Sequence, residues 1–213
     1  MKHTENAKHA GERCEMKYIG ITGGVGSGKS RILSWLEDTC DCRVLRSDDL
    51  AREMMRKGGS LWQIYRNILG DGILDPDGEI DRPGTAALLF RDPGLLDEVN
   101  RQTHPLVSRE IAERRDAAER EGKAFFFLES AVLIEEKYNE ICDELWYVYA
   151  DENSRRWRLK QQRGYTDERI DAMLKNQQDD SVFRRVCDFT IDNSGDFSET
   201  VRQISGHLQG MKQ

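Results

Sequence analysis

The residues Gly23-Gly24-Val25-Gly26-Ser27-Gly28-Lys29-Ser30 have the types and spacing to hold a polyphosphate. They satisfy G-x-x-x-x-G-K-[S/T], with Gly23, Gly28, Lys29 and Ser30 at the defining positions. Glycines let successive backbone N–H groups curl round an anion without interference from Cβ atoms. Lys29 brings a point charge to the β- and γ-phosphates, and the Ser30 hydroxyl can reach Mg²⁺. The helix that follows such a loop presents its positive end to the anion. The run thus predicts contact between a nucleoside triphosphate and Gly24, Val25, Gly26, Ser27, Gly28, Lys29, Ser30 and Arg31, with Ser30 at the metal.

The flanks supply the elements this loop needs. Tyr18-Ile19-Gly20-Ile21-Thr22 is a short apolar run that predicts a buried strand. Ile32, Leu33, Trp35 and Leu36 form an apolar face at helical spacing. Further strands are predicted at Arg43-Val44-Leu45, over 123–128, over 145–149 and over 188–191. Five strands alternating with helices imply an α/β fold, a doubly wound five-stranded parallel sheet. Ligands then bind beyond the carboxyl ends of the strands, which gathers residues near 23–30, 46–49 and 129–135 around one cleft.

Between the second and third strands the chain predicts only helices: 50–57, one from Ser60 to Leu69, 84–90, 93–101, and a charged helix starting at Pro105 and ending near 121. Asp75-Pro76-Asp77-Gly78 is a turn by composition. Residues 51–121 are too long for a simple crossover and are read as an inserted helical subdomain. Two helices, 152–162 and 167–178, follow the fourth strand, and a region of about 152–180 is read as a lid. Phe197, Val201, Ile204 and Leu208 stripe a C-terminal helix. The expected organisation is a disordered extension over 1–16 and one domain over 17–210, with its core at 17–50, 122–150 and 186–210.

The 213 residues carry a formal net charge of -7, which argues against nucleic acid as a partner. Five cysteines, an odd number with no C-x-x-C pair, read as free thiols of a reducing compartment. No apolar run approaches a membrane span.

Several blocks in order give the chain a family resemblance. Ile21-Thr22 leading into the glycine loop, Val44-Leu45-Arg46-Ser47-Asp48 with Ala51-Arg52, His104-Pro105, and Glu129-Ser130-Ala131-Val132-Leu133-Ile134-Glu135 are four of them. Arg163-Gly164-Tyr165, Asn176-Gln177 and Ile191-Asp192-Asn193-Ser194-Gly195 complete the set. The chain resembles the dephospho-coenzyme A kinases over residues 17–210. The resemblance implies ATP-dependent phosphorylation of the ribose 3′-hydroxyl of dephospho-CoA, the last step of coenzyme A synthesis. It also implies Mg²⁺ as cofactor and ATP and dephospho-CoA as partners, in a cytoplasmic monomer without nucleic acid or membrane. Two positions depart from the family pattern: Arg46 replaces the first acid of a D-A-D segment, and Arg31 replaces a threonine.

For Asp48 the residues alone suggest a helix N-cap, and the resemblance suggests the catalytic base. Lys29 and Arg163 join it as catalytic candidates, and Arg158 as an ATP contact under the lid. Arg155 and Arg156 read as surface. His104 and Glu129 are the expected acceptor contacts, with Glu135 a helix-start acid. Trp62, Tyr65 and Phe90 read as packing residues. Other small-molecule kinases of this fold, acting on nucleoside monophosphates, shikimate or gluconate, remain open alternatives. A GTPase-like switch finds a superficial D-x-x-G at 75–78 but no N-K-x-D.

Overall fold

The computed structural model describes residues 15–130, 133 and 141–211. Strand β1 (Lys17–Thr22) leads through the glycine loop into α1 (Lys29–Thr39). Then come β2 (Cys42–Arg46), α2 (Ser47–Met54), α3 (Ser60–Leu69), a 3-10 turn at Asp71–Ile73, α4 (Arg82–Arg91) and α5 (Pro93–Arg120). The chain returns as β3 (Phe125–Glu129) and β4 (Glu144–Tyr149). It continues through α6 (Glu152–Arg163), α7 (Asp167–Lys175) and α8 (Asp180–Val186) to β5 (Phe189–Asp192) and α9 (Phe197–Met211).

The five strands are parallel, in the order β2-β3-β1-β4-β5. Strand β1 sits in the middle, where the direction of winding reverses, so the glycine loop opens at the switch point. The central strands β1, β3 and β4 read as nearly continuous apolar runs because both of their faces are covered. Side chains alternate between the two faces. Ile19, Ile21, Phe127, Trp146, Val148 and Ile191 pack against Ile32, Leu33 and Leu36 of α1 and Ile204 and Leu208 of α9. Tyr18, Phe126, Leu128 and Leu145 pack with Leu50 of α2 and Ile111 and Ala118 of α5 on the other face. The carboxyl ends of β1, β2 and β3 are held in register by the parallel pairing of β3 with both neighbours.

The structure departs from the sequence expectations in several places. Helix α5 does not start at Pro105 but runs through it from Pro93. Pro105 lies on the exposed face, where water can serve the carbonyl left without a donor, while buried Val99, Thr103, Ile111 and Ala118 hold the helix on both sides. Helix α2 begins three residues earlier than expected, at Ser47 rather than residue 50. Helix α7 stops at Lys175, and the additional α8 follows, started by the Asp179 side chain accepting from Ser181 N at 2.8 Å. Phe90 is not a packing residue; it is 88% exposed. The turn at 75–78 forms, closed by Gly78 N donating to Asp75 O at 2.9 Å.

Cys40, Cys42, Cys142 and Cys187 are free thiols, and burial pushes the Cys42 and Cys142 thiols up to about 12. Cys14 lies outside the described residues. No helix among the described residues is long and apolar enough to cross a membrane.

Candidate active site

The glycine loop is shaped by its own backbone and braced by side chains from other elements. Gly26 (φ +76°) and Gly28 (φ +93°) adopt left-handed backbone that other residues enter at a cost. Gly28 is also the N-cap of α1, and a Cβ there would run into the Asn193 carboxamide. Side chains from beyond β4 and β5 fix the carbonyls of the loop. Asn193 Nδ2 donates to Ser27 O at 2.7 Å, and Arg158 Nη1 donates to the same oxygen at 3.1 Å. Arg158 Nη2 donates to Asn193 O at 2.5 Å, and Arg155 Nε donates to Val25 O at 2.9 Å. The other end of the Arg155 guanidinium donates to Gln177 Oε1.

Asn193 is 3% exposed, and its Oδ1 accepts from the Thr200 hydroxyl at 2.9 Å. Asn193→Ala is expected to destabilise the protein by about 1–3 kcal/mol, because it strips buried Thr200 and Ser27 O of a partner. Thermal unfolding checks this, and a wild-type melting temperature would contradict it.

Lys29 folds back over the loop, with Nζ donating to Gly23 O at 2.5 Å and to Gly24 O at 3.4 Å. Burial holds its ammonium below the ordinary lysine value; Glu129 and Asp48 act against that, and Arg155 and Arg163 add to it. Glu129 ends β3, in register with Ile21 of β1 and Arg46 of β2. Its carboxyl is raised, first by burial and then by Asp48, while Lys29 and Arg46 pull the other way. Asp48 is not the N-cap of α2. That position belongs to Arg46, and Asp48 lies within the first turn, where the helix dipole favours an acid.

These groups line one cavity of about 690 Å³ at the carboxyl ends of the strands. All of Gly24, Val25, Gly26, Ser27, Gly28, Lys29, Ser30 and Arg31 border it. Asp48 and Glu129 face it from the β2 and β3 side, and Arg158 and Arg163 from α6. The guanidinium of Arg31 also lies 3.9 Å above the Phe197 ring. His104 is not among the lining residues; it sits on an exposed turn inside α5. Glu135 lies outside the described residues. Among the described residues no group of three or more His, Cys, Asp or Glu side chains could hold a metal ion by itself.

Sequence reasoning missed Arg155, which is a half-buried brace and not a surface residue. Arg155, Arg158, Leu159 and Gln162 share one helix face at i, i+3, i+4 and i+7, and the last three line the cavity; the spacing groups them, and the fold decides which way that face points. Asn176, Gln177 and Gln178 also reach the cavity from the segment between α7 and α8.

The family model for dephospho-CoA kinase matches residues 17–199 of this chain. The chain belongs to the dephospho-CoA kinase family. A dephospho-CoA kinase of Streptococcus agalactiae serotype Ia is 33% identical over 193 residues, covering 91% of this chain and 98% of the relative. A dephospho-CoA kinase of Leifsonia xyli is 33% identical over 198 residues, covering 92% of this chain and all of the relative. Among solved structures, a Thermus thermophilus protein superposes with a TM-score of 0.79 at 25% identity, over 92% of this chain and 98% of that one. A shikimate kinase of Bacteroides thetaiotaomicron shares the fold, with a TM-score of 0.55 at 11% identity and coverage of 93% and 99%. The glycine loop, Asp48, Glu129, the α6 arginines and Asn193 all fall inside the segment that matches the dephospho-CoA kinase family.

Proposed function

We propose that this member of the dephospho-CoA kinase family transfers the γ-phosphoryl group of ATP to the ribose 3′-hydroxyl of dephospho-CoA, giving CoA and ADP. One observation supports it above the others: a single cavity joins a phosphate-binding loop to a carboxylate, Asp48, in the first turn of α2 just beyond β2. The triphosphate lies along the amides of residues 24–30 with Lys29 at its β- and γ-phosphates. Asp48 accepts the hydroxyl proton as the ribose oxygen attacks the γ-phosphorus, and ADP leaves on the opposite side. Glu129 orients the acceptor from the end of β3. An acceptor contact by His104 would require part of the long acceptor to leave the cavity and run along α5.

The residues present fit Mg²⁺ carried in by the nucleotide. Such an ion takes most of its ligands from phosphates and water and needs few from the protein, which suits a cavity offering Ser30 Oγ and scattered carboxylates. Ser30 would hold it, and when bound it would neutralise charge on the phosphates.

Helices α6 to α8 act as a lid, and α2 to α5 form the acceptor side. Arg158 and Arg155 keep the loop in shape, and Arg163, exposed at the last turn of α6, closes over the transferring group. Arg163→Ala is expected to slow transfer by about 10- to 100-fold and to raise the ATP hydrolysed per CoA formed, because water is less well excluded. Parallel assays of ADP and CoA check this; normal coupling would remove Arg163 from the lid. The enzyme is proposed to work as a cytoplasmic monomer.

A coupled assay with ATP and Mg²⁺ tests the substrate. Dephospho-CoA should be turned over at least about 100-fold faster than adenosine, AMP or shikimate. A faster rate with any of those three would overturn the assignment.

A further inference from the structure

The carboxylate proposed as the base stands on a helix whose start is not capped. The N-cap of α2 is Arg46, which has no oxygen to offer, and no side chain makes a cap bond there. The β2–α2 junction must therefore be held in another way. Arg46 Nη1 donates to Glu37 Oε1 at 3.0 Å and Arg46 Nη2 to Glu37 Oε2 at 2.9 Å, a two-pronged ion pair of good geometry. The two side chains are 28% and 39% exposed. Glu37 stands on α1, the helix that begins with Lys29 and Ser30. Arg46 borders the cavity and lies in register with Glu129. One fork thus ties the end of β2, two residues before Asp48, to the helix that presents the phosphates.

We propose that Arg46 and Glu37 are a positioning pair, which sets the distance between Asp48 and the donor phosphates by clamping the start of α2 to α1. The pair acts through Asp48. Its worth to stability as an ion pair is small at this exposure. Its effect on rate is larger, because a misplacement of about 1 Å at a reacting pair costs up to about 100-fold. The proposal rests on Asp48 serving as the base.

The test is a double-mutant cycle on the full-length enzyme, measuring kcat, the KM for ATP and the melting temperature. Glu37→Gln removes the charge and one of the two acceptors of the fork, and leaves the positive charge of Arg46 beside Glu129. It should lower kcat by about 5- to 10-fold. The ATP KM should stay within about 2-fold, since the interaction lost is not one made to ATP. Arg46→Gln should do the same, and the double variant should be no slower than the slower single one. Arg46→Lys, which keeps the charge and loses the two-pronged geometry, should recover only part of the rate. An unchanged kcat in Glu37→Gln, or a double variant whose loss is the product of the two single losses, would overturn the pair. Asp48→Asn is assayed alongside. If it abolishes turnover while Glu37→Gln does not change it, only the positioning role falls; if Asp48→Asn is fully active, the base assignment falls first.

Discussion

Lys29→Ala is expected to lower turnover by about 10³-fold or more while leaving the fold intact. Transfer of a phosphoryl group leaves the protein to position groups and stabilise charge, and in the proposed reaction Lys29 is the cation that meets the β- and γ-phosphates. Removing one preorganised donor of this kind costs about 10²–10³ in rate, and Lys29 brings a full charge in a buried setting. Its ammonium is held below its usual value chiefly by lost hydration, so it is a poorly satisfied cation until an anion arrives. In the free loop it makes do with the carbonyls of Gly23 and Gly24. In the proposed reaction it would trade those for phosphate oxygens, and its contacts would strengthen as charge develops on the transferred group. Removing the side chain breaks these loop bonds and its attraction to Glu129 and Asp48, but it also relieves the cost of burying the charge and the repulsion from Arg155 and Arg163, so the melting temperature should stay near wild type. The rate of ADP release with both substrates saturating checks this, and a fall of less than about 10-fold would place the triphosphate elsewhere.

Asp48→Asn should lower kcat by about 10²–10⁴-fold and leave ATP affinity within about 3-fold. The change keeps shape and removes the ability to take a proton. It does not uncap α2, because Asp48 is inside the first turn and makes no cap bond. It removes a favourable charge–dipole contact at a helix start, worth about 0.3–1 kcal/mol, so folding should survive. Single-turnover rates and direct ATP titration separate the two effects. A variant that binds ATP weakly but turns over normally would contradict the base assignment. Glu129 and Asp49, which line the same cavity, would then be the carboxylates to consider.

The parts of the fold that are written locally were legible in the sequence. The glycine loop could be read because left-handed backbone at Gly26 and Gly28 requires residues of one type at fixed spacing. The central strands were legible because double cover demands unbroken apolar runs such as Phe125-Phe126-Phe127-Leu128. What was missed is set by tertiary contact. Pro105 signals a helix start, yet α5 continues through it because packing on both sides outweighs one lost hydrogen bond. Phe90 is apolar by type and exposed by position, which periodicity cannot foresee. Arg155 looked like one more charge on a polar helix, and only the approach of α6 to the glycine loop turns it inward. The Arg46–Glu37 fork joins residues on different elements, so no spacing rule announces it.

A crystal structure with a non-hydrolysable ATP analogue, Mg²⁺ and dephospho-CoA tests the central claim most directly. The γ-phosphate should lie against the amides of residues 24–30 and Lys29. The ribose 3′-oxygen should lie within about 2.6–3.2 Å of an Asp48 carboxylate oxygen. A triphosphate bound away from that loop, or a 3′-oxygen facing a different side chain with Asp48 turned to solvent, would contradict it.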